Sequence, residues 1–215
     1  MFRTFSLVAA LALGSLSLPA LAQPAPLTQE PAQVQSGTYV LDPAHGKITW
    51  SVNHLGFSTY VGQFPAVSAT LTLDAKRPEA SRLVATVDIT RIASLNAALD
   101  KHLATADFFE SAKFPTARFE ATGIRLTGSK TAEITGQLTL RGVTRPITMT
   151  ARFNQAGTNP LDKQYSLGFD GDARIKRSDF GVNYGVPFVS DEVTLHLEAE
   201  FKRQLPATAA ASPAR

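Results

Sequence analysis

Apolar and polar side chains alternate residue by residue along most of this 215-residue chain. A period of two marks strands with one buried face and one wet face. From Lys47 to Leu55 the positions Ile48, Trp50, Val52 and His54 share a face, and Val67, Ala69, Leu71 and Leu73 repeat the pattern. Leu83, Ala85, Val87 and Ile89 continue it. Ile134, Gly136, Leu138 and Leu140 follow, then Ile147, Met149, Ala151 and Phe153, with Gly142 to Pro146 as the turn between them. Tyr165, Leu167, Phe169, Gly171, Ala173 and Ile175 come next, and Val193, Leu195, Leu197, Ala199 and Phe201 close the set. Ala117 to Leu126 reads as a strand whose parity shifts near Gly123, which predicts a bulge. The fold class is therefore all-β and antiparallel.

So many amphipathic strands expose too many edges unless the sheet closes or doubles. A strand of about ten residues extends about 33 Å, long for a filled sandwich, so the expectation is an extended, lipocalin-like antiparallel barrel of about eight strands. One stretch differs. Leu95, Leu99 and Leu103 recur at helical spacing after Ser94, which predicts one short helix over about Leu95 to Ala106 with Ser94 as its N-cap. Ala69, Ala85, Gly136, Ala151, Gly171, Ala173 and Ala199 face inward, and two fillings suit the volume they omit: bulky neighbours with the helix, or an apolar ligand.

At the N-terminus, Arg3, an apolar run from Phe5 to Leu18, Pro19 and the small-residue pattern Ala20-Leu21-Ala22 have the form of a cleaved secretory signal peptide. A membrane anchor needs about 18 clean apolar residues, whereas Gly14, Ser15, Ser17 and Pro19 interrupt this run. The expected organisation is a signal peptide at 1–22, a flexible segment at 23–36, one barrel domain at 37–203 and a disordered Ala/Pro/Ser-rich tail at 204–215, in a protein exported to a bacterial periplasm. The chain has no cysteine, which excludes disulfides, thiol catalysis and cysteine-ligated metals. A formal charge of +3 from 21 basic and 18 acidic residues is too small an excess for a dedicated nucleic-acid binder.

Chemistry-bearing residues are sparse. His45, His54, His102 and His196 are scattered without metal-ligand spacing, so no metal site is expected. His54 has inward parity near a strand end, where it either bonds backbone or meets a ligand head group. Arg177 and Arg91 each follow an inward Ile by two residues, and either suits an anionic head group; for Arg177 the competing reading is a pair with Asp179. Gly181 to Phe188 reads as an aromatic loop near a barrel mouth, either a lip or simple packing. Phe108, Phe109 and Phe114 read as packing around the helix. No nucleophile elbow and no Gly-rich loop before a helix is present.

Particular blocks resemble the YceI family: Asp42-Pro43-Ala44-His45, the strand Ile48 to Phe57, Gly62-Gln63-Phe64, Asp100 to Phe109, Lys113 to Phe119, Leu138 to Ile147 and Arg177 to Val182. Their order and spacing cover about Gly37 to Arg203. The resemblance implies a lipocalin-like barrel whose apolar interior holds a long isoprenoid chain or similar amphiphile, without established catalysis and usually in an exported protein. Arg91 departs from the family, which more often has a small or polar residue there.

The expected function is transport, storage or sequestration of a polyisoprenoid or related amphiphile such as an isoprenoid quinone or fatty-acid derivative. No cofactor is expected beyond that lipid. The expected cavity lining is Trp50, Val52, Ala69, Leu71, Ala85, Val87, Leu138, Leu140, Met149, Ala151, Phe153, Leu167, Phe169, Gly171, Leu195 and Leu197, with His54, Arg91 and Arg177 as head-group contacts. Transient membrane contact and a homodimer are both compatible with this reading. Two alternatives stand beside it: a stress-related scaffold with a packed barrel, and an enzyme acting on an amphiphile with His54 or His102 as base.

Overall fold

The computed structural model describes residues 24–205; the expected signal peptide and the tail beyond 205 lie outside the described residues. Nine strands follow in chain order: β1 (Gly37–His54), β2 (Ser58–Phe64), β3 (Val67–Leu73), β4 (Arg82–Asp88), β5 (Thr116–Leu126), β6 (Thr131–Leu140), β7 (Val143–Thr158), β8 (Tyr165–Lys176) and β9 (Glu192–Arg203). One helix, α1 (Ala97–Leu103), lies between β4 and β5. Every pairing is antiparallel. Eight strands close in the order β1-β3-β4-β5-β6-β7-β8-β9, with β9 returning to β1. β1 is long enough to serve two partners on its other edge: Gly37 to Val40 pair with β3, and Ile48 to His54 with β2. The far edge of β2 carries one bridge among the described residues, from Gln63 to Ala93, and the Ile89–Phe114 segment with α1 lies on that side.

The alternation predicts which side chains point inward because each strand spans the barrel with one face to the lumen. Trp50, Ala69, Leu71, Leu140, Met149, Phe153, Leu167 and Ala173 are buried. Across the outer face runs the row Arg152, Asp170, Glu198 and Lys47 over β7, β8, β9 and β1, with Arg152 paired to Asp170. Three irregularities interrupt the ladders. The expected one in β5 falls between Ala121 and Gly123. A second lies between Phe153 and Gln155. The third, between Leu41 and Gly46, expels Asp42-Pro43-Ala44-His45 from the β1–β9 ladder. Pro43 has no N–H to give a ladder, and Asp42 accepts from Ala44 N at 3.0 Å, closing the excursion on itself.

Other expectations need correction. The helix starts at Ala97, not Leu95: Asn96 is the cap, its Oδ1 accepting from Ala98 N (3.1 Å) and Leu99 N (3.2 Å). Leu95 stands fully exposed outside it with φ of 60°, while Ser94 is buried and donates its N–H to Asp100 Oδ1 at 2.7 Å. Within residues 24–36, Ala25, Thr28 and Val34 contact the barrel. Thr28 and Ala156 exchange backbone bonds of 2.7 and 2.8 Å, and Val34 packs on the core. At the other end Gln204 N still donates to Thr38 O at 2.8 Å, so the ladder runs past the expected start of the tail. Gly136 leaves no open volume, because a Cβ there would lie 2.4 Å from Phe119 Cζ; the Phe119 ring already fills that space.

Tyr39 anchors the end of the barrel where the chain enters β1. It is wholly buried, and its hydroxyl donates to Gln35 O at 2.6 Å. Burial, helped by Tyr165 and opposed by Arg203, pushes the phenol up to about 12. The stability contributed by this neutral group is complete below about pH 10 and is lost as pH rises through about 12. Tyr39→Phe removes the donor from the Gln35 carbonyl and is expected to cost about 1 kcal/mol, read as a lower urea midpoint at unchanged slope. A midpoint identical to wild type would show that this bond contributes nothing net.

Candidate functional site

Inside the barrel lie two apolar chambers. The upper one, about 370 Å³, is bounded by β1 and β2, by α1 and by the 181–190 loop. The lower one, about 270 Å³, is bounded mainly by β3 to β9. Ile48, Val87, Ala117, Leu138 and Leu195 belong to both linings, so the chambers meet across one layer of shared side chains. Each volume is near the lower limit of ligand pockets, which span about 300 to 1,000 Å³.

Of the sequence-derived lining residues, Trp50, Val52 and Leu140 face the upper chamber, and Val87, Leu138 and Leu195 face both. Ala69, Leu71, Ala85, Met149, Ala151, Phe153, Phe169, Gly171 and Leu197 face the lower one. Leu167 does not line either. It is fully buried in the packed end cluster with Tyr39, Leu41, Ala156 and Phe201. Arg91 is exposed at the close of a 3₁₀ turn, Ile89–Arg91, and is not in the lining. The turn breaks the period of two, so the parity argument that placed Arg91 inward does not reach it.

Arg177 does reach the upper chamber, and is 6 % exposed. Among the described residues it pairs directly with neither Asp179 nor any other carboxylate. Its Nε donates to Ser190 O (2.9 Å), one terminal nitrogen to Val182 O (3.1 Å) and Tyr184 O (2.8 Å), and the other to Val189 O (2.8 Å). Four loop carbonyls therefore converge on one guanidinium, which sets the path of residues 182–190. Burial lowers the guanidinium pKa below its usual value, partly countered by Asp191. Burial would raise the Asp191 carboxyl, but bonds from Ser178 and the Arg177 charge outweigh it, and its pKa lies below the ordinary value.

The loop meets α1 across the top of this chamber. His102 holds Asp107 through Nε2 at 2.9 Å and stands edge-on to Phe108 and Tyr184, at 5.0 and 4.9 Å between centroids. His54 lies at the outer end of β1, tilted against Tyr60. Sequence reasoning assigned no lining role to Tyr60, Phe64, His102, Phe108, Phe109, Tyr184 or Val189, because these come from a strand, a helix and a loop outside the alternating segments. The family-like blocks Gly62-Gln63-Phe64 and Asp100 to Phe109 were the available signal.

Trp50 is buried against β2 and stacks on Tyr60, 6.2 Å between centroids and 17° between planes. Gly62 makes this approach feasible: a Cβ there would fall 2.2 Å from Trp50 Cζ2. The indole Nε1 is buried without a hydrogen-bond partner. Among the described residues no Ser, Thr, Asp, Glu or Lys lines the upper chamber; the carboxylate beside His102, that of Asp107, lies outside this lining.

Outside both chambers, Asp42, His45 and Glu200 bring three ligand-type atoms within 4.8 Å of one another. The buried Lys202 ammonium already serves this group: it bonds Asp162 at 2.8 Å, pairs with Glu200 and lies 3.9 Å from Asp42. Burial would lower the Lys202 pKa, but those carboxylates raise it above its ordinary value.

A closed antiparallel barrel with an apolar lumen, capped by one short helix and an arginine-pinned loop, defines the lipocalin-like class. Residues 39–201 match the YceI-like domain, and the chain belongs to that family. It is 38% identical over 199 residues to a UPF0312 protein of Azotobacter vinelandii, covering 92% of this chain and 97% of that one. A UPF0312 protein of Pseudomonas savastanoi pv. phaseolicola is 36% identical over 197 residues, 91% and 95% of the two chains. Among solved structures, the YceI protein of Campylobacter jejuni aligns with a TM-score of 0.63 at 28% identity, over 71% of this chain and 90% of that one. BcnA of Burkholderia cenocepacia aligns at 0.68 and 24% identity, over 74% and 98%. A polyisoprenoid binding domain from Saccharophagus degradans shares the fold at 0.58 and 12% identity, over 79% and 100%.

Two substitutions test this geometry. Gly62→Ala forces the indole towards the upper chamber and is expected to destabilise by about 1 to 3 kcal/mol, read as a fall in melting temperature. No fall would mean that Trp50 moves aside freely. Arg177→Lys leaves several of the four carbonyls without a donor, each worth about 1 kcal/mol, and should accelerate amide hydrogen exchange over residues 182–190 first. Unchanged exchange in that loop would show that Arg177 does not order it.

Proposed function

We propose that this protein is an exported carrier that holds a polyisoprenoid or similar long-chain amphiphile within its barrel, for transport, storage or sequestration. The observation that carries the reading is the pair of adjoining apolar chambers, lined by alternate residues of nearly every strand. Burying an alkyl or isoprenoid chain there contributes about 25 cal/mol per Å² without any directional contact, which favours length over chemical detail. Membership of the YceI-like family and the fold shared with a polyisoprenoid binding domain support the same ligand class. The form of residues 1–22 supports export to the periplasm. The scaffold alternative calls for a filled interior, and an interior with two chambers weighs against it. The enzyme alternative has a carboxylate beside His102, Asp107, but no Ser, Thr or Lys nucleophile among the described residues that line the upper chamber.

Phe57 and Phe188, 90% and 72% exposed, stand on the β1–β2 turn and the 181–190 loop, joined where Leu55 N donates to Phe188 O at 2.9 Å. This apolar rim beside the upper chamber supports transient contact with a membrane during loading.

Mass spectrometry of organic extracts from protein purified without denaturation tests the proposal: a long-chain amphiphile is expected, and none from well-folded protein would sink it. Ala151→Phe places a ring in the lower chamber. Loss of bound lipid at unchanged stability of the lipid-free protein is expected, since the ring enters space otherwise left for a ligand. A penalty of about 1 to 3 kcal/mol, as for overpacking, would instead mean the interior is already full.

A further inference from the structure

We infer that the layer of side chains between the two chambers is a constriction that selects ligands by chain length, with Ile48, Val87, Leu138 and Leu195 as its specificity-determining residues. This rests on the carrier reading and adds what the carrier selects: a single chain long enough to pass the layer and fill the lower chamber. The strands agree on where the layer lies. On β6 the lining passes from Leu140, in the upper chamber, through Leu138, in both, to Ile134, in the lower. On β9 it passes from Val193 through Leu195 to Leu197, and on β4 from Ile89 through Val87 to Ala85. On these strands one residue separates the chambers, so the constriction is one side chain deep. It is not sealed. Ile48, Val87, Leu138 and Leu195 face inward by strand parity yet are only half-buried, and surface left open on an inward residue borders the lumen. Ala117, the fifth member, is the register partner of Val87 and contributes only a methyl group, which leaves the ring thinnest at β5.

The position of the layer sets the chain length. His54 is exposed and lines the upper chamber, which places it at the upper mouth. From Ile48 to His54, β1 advances six residues, about 20 Å along the strand and about 15 Å along the barrel axis at a tilt near 40°. An extended chain of single bonds advances about 1.2 Å per bond, as the peptide backbone does, so about 13 chain atoms span the upper chamber. A farnesyl chain entering from above ends near the layer, and a geranylgeranyl chain crosses it. Each methylene buried among apolar side chains tightens binding about 4-fold, less what ordering the chain costs. A chain that stops short forgoes the lower chamber, so affinity depends on length in two stages, and the layer controls the second.

Geraniol, farnesol and geranylgeraniol carry the same hydroxyl head on chains of increasing length, which removes head-group contacts from the comparison. Their affinities for lipid-stripped protein come from displacement of an apolar dye. In wild type each added isoprene unit is expected to tighten binding by at least about 10-fold. Val87→Phe thickens the layer: the gain from geraniol to farnesol is expected to persist, and the gain from farnesol to geranylgeraniol to disappear. Leu138→Ala opens the layer and is expected to enlarge that second gain. It carries the test if Val87→Phe does not fold, with the melting temperature of the lipid-free protein as the check on folding. A second gain that Val87→Phe leaves unchanged, an equal loss of both gains, or a second gain that Leu138→Ala does not enlarge overturns the inference while leaving the carrier intact. Binding of none of the three alcohols to wild type overturns both.

Discussion

Everything in this molecule depends on the ladder between β1 and β9. Without the pairs from Tyr39 with Arg203 to Ser51 with Thr194, an eight-stranded sheet would be left with two long amphipathic edges. Closure removes those edges and at the same time creates an inside. Because side chains alternate strictly across each strand, closing the sheet sends every second residue into one lumen. Fold and cavity are consequences of the same hydrogen bonds. The ladder also tolerates one excursion, at Asp42 to His45, and there the polar residues turn outward to Lys202, Glu200 and Asp162 instead of into the lumen.

The length of β1 has a second effect. With 18 residues, it outruns β3 and recruits β2 for its outer half, so the wall beyond β2 is not a continuous sheet. That side carries the 3₁₀ turn, α1 and the Phe108–Phe109 segment, and across from it the 181–190 loop comes in from β8. Strands supply most of the lower chamber's wall, joined by Pro31, Val34, Ala75, Pro78 and Lys130 from the segments beside them, whereas α1 and the 181–190 loop cap the upper one. Local opening free energy is lowest where backbone bonds are few and exposed. Movement that admits a chain is therefore expected at the upper cap, where His102 and Phe108 meet Tyr184 through ring contacts.

Fifteen of the sixteen lining residues proposed from alternation face a chamber, since strand parity is a local property that closure does not alter. Leu167 fails because a lumen has an end, and no local pattern marks where large side chains from opposite walls meet. Arg91 fails because a 3₁₀ turn replaces the last strand residues. Asn96 displaced Ser94 as the helix cap through a competition the sequence leaves open: both are good caps, and the outcome turned on Asp100 capturing Ser94. The role of Arg177 was invisible for a different reason. Its partners are backbone carbonyls, which every residue carries, so no spacing could single out the loop it would order. The Phe119 ring over Gly136 is likewise a contact between neighbouring strands, legible only once register is fixed.

The distribution of side-chain size explains why the interior is hollow. Tyr39, Phe153, Leu167 and Phe201 fill one end, and Trp50, Phe64 and Phe180 crowd the wall near the other. Between them Ala69, Ala85, Ala151 and Gly171 line the lower chamber. Apolar walls that face empty space lack partner atoms on one side, so the residues around the lower chamber contribute less to stability than they would in a filled core. A ligand that fills the space restores the lost dispersion contacts and shifts the folding equilibrium by mass action. On this argument the lipid is a missing part of the hydrophobic core as well as a cargo, and release of the chain and loosening of the barrel are thermodynamically linked.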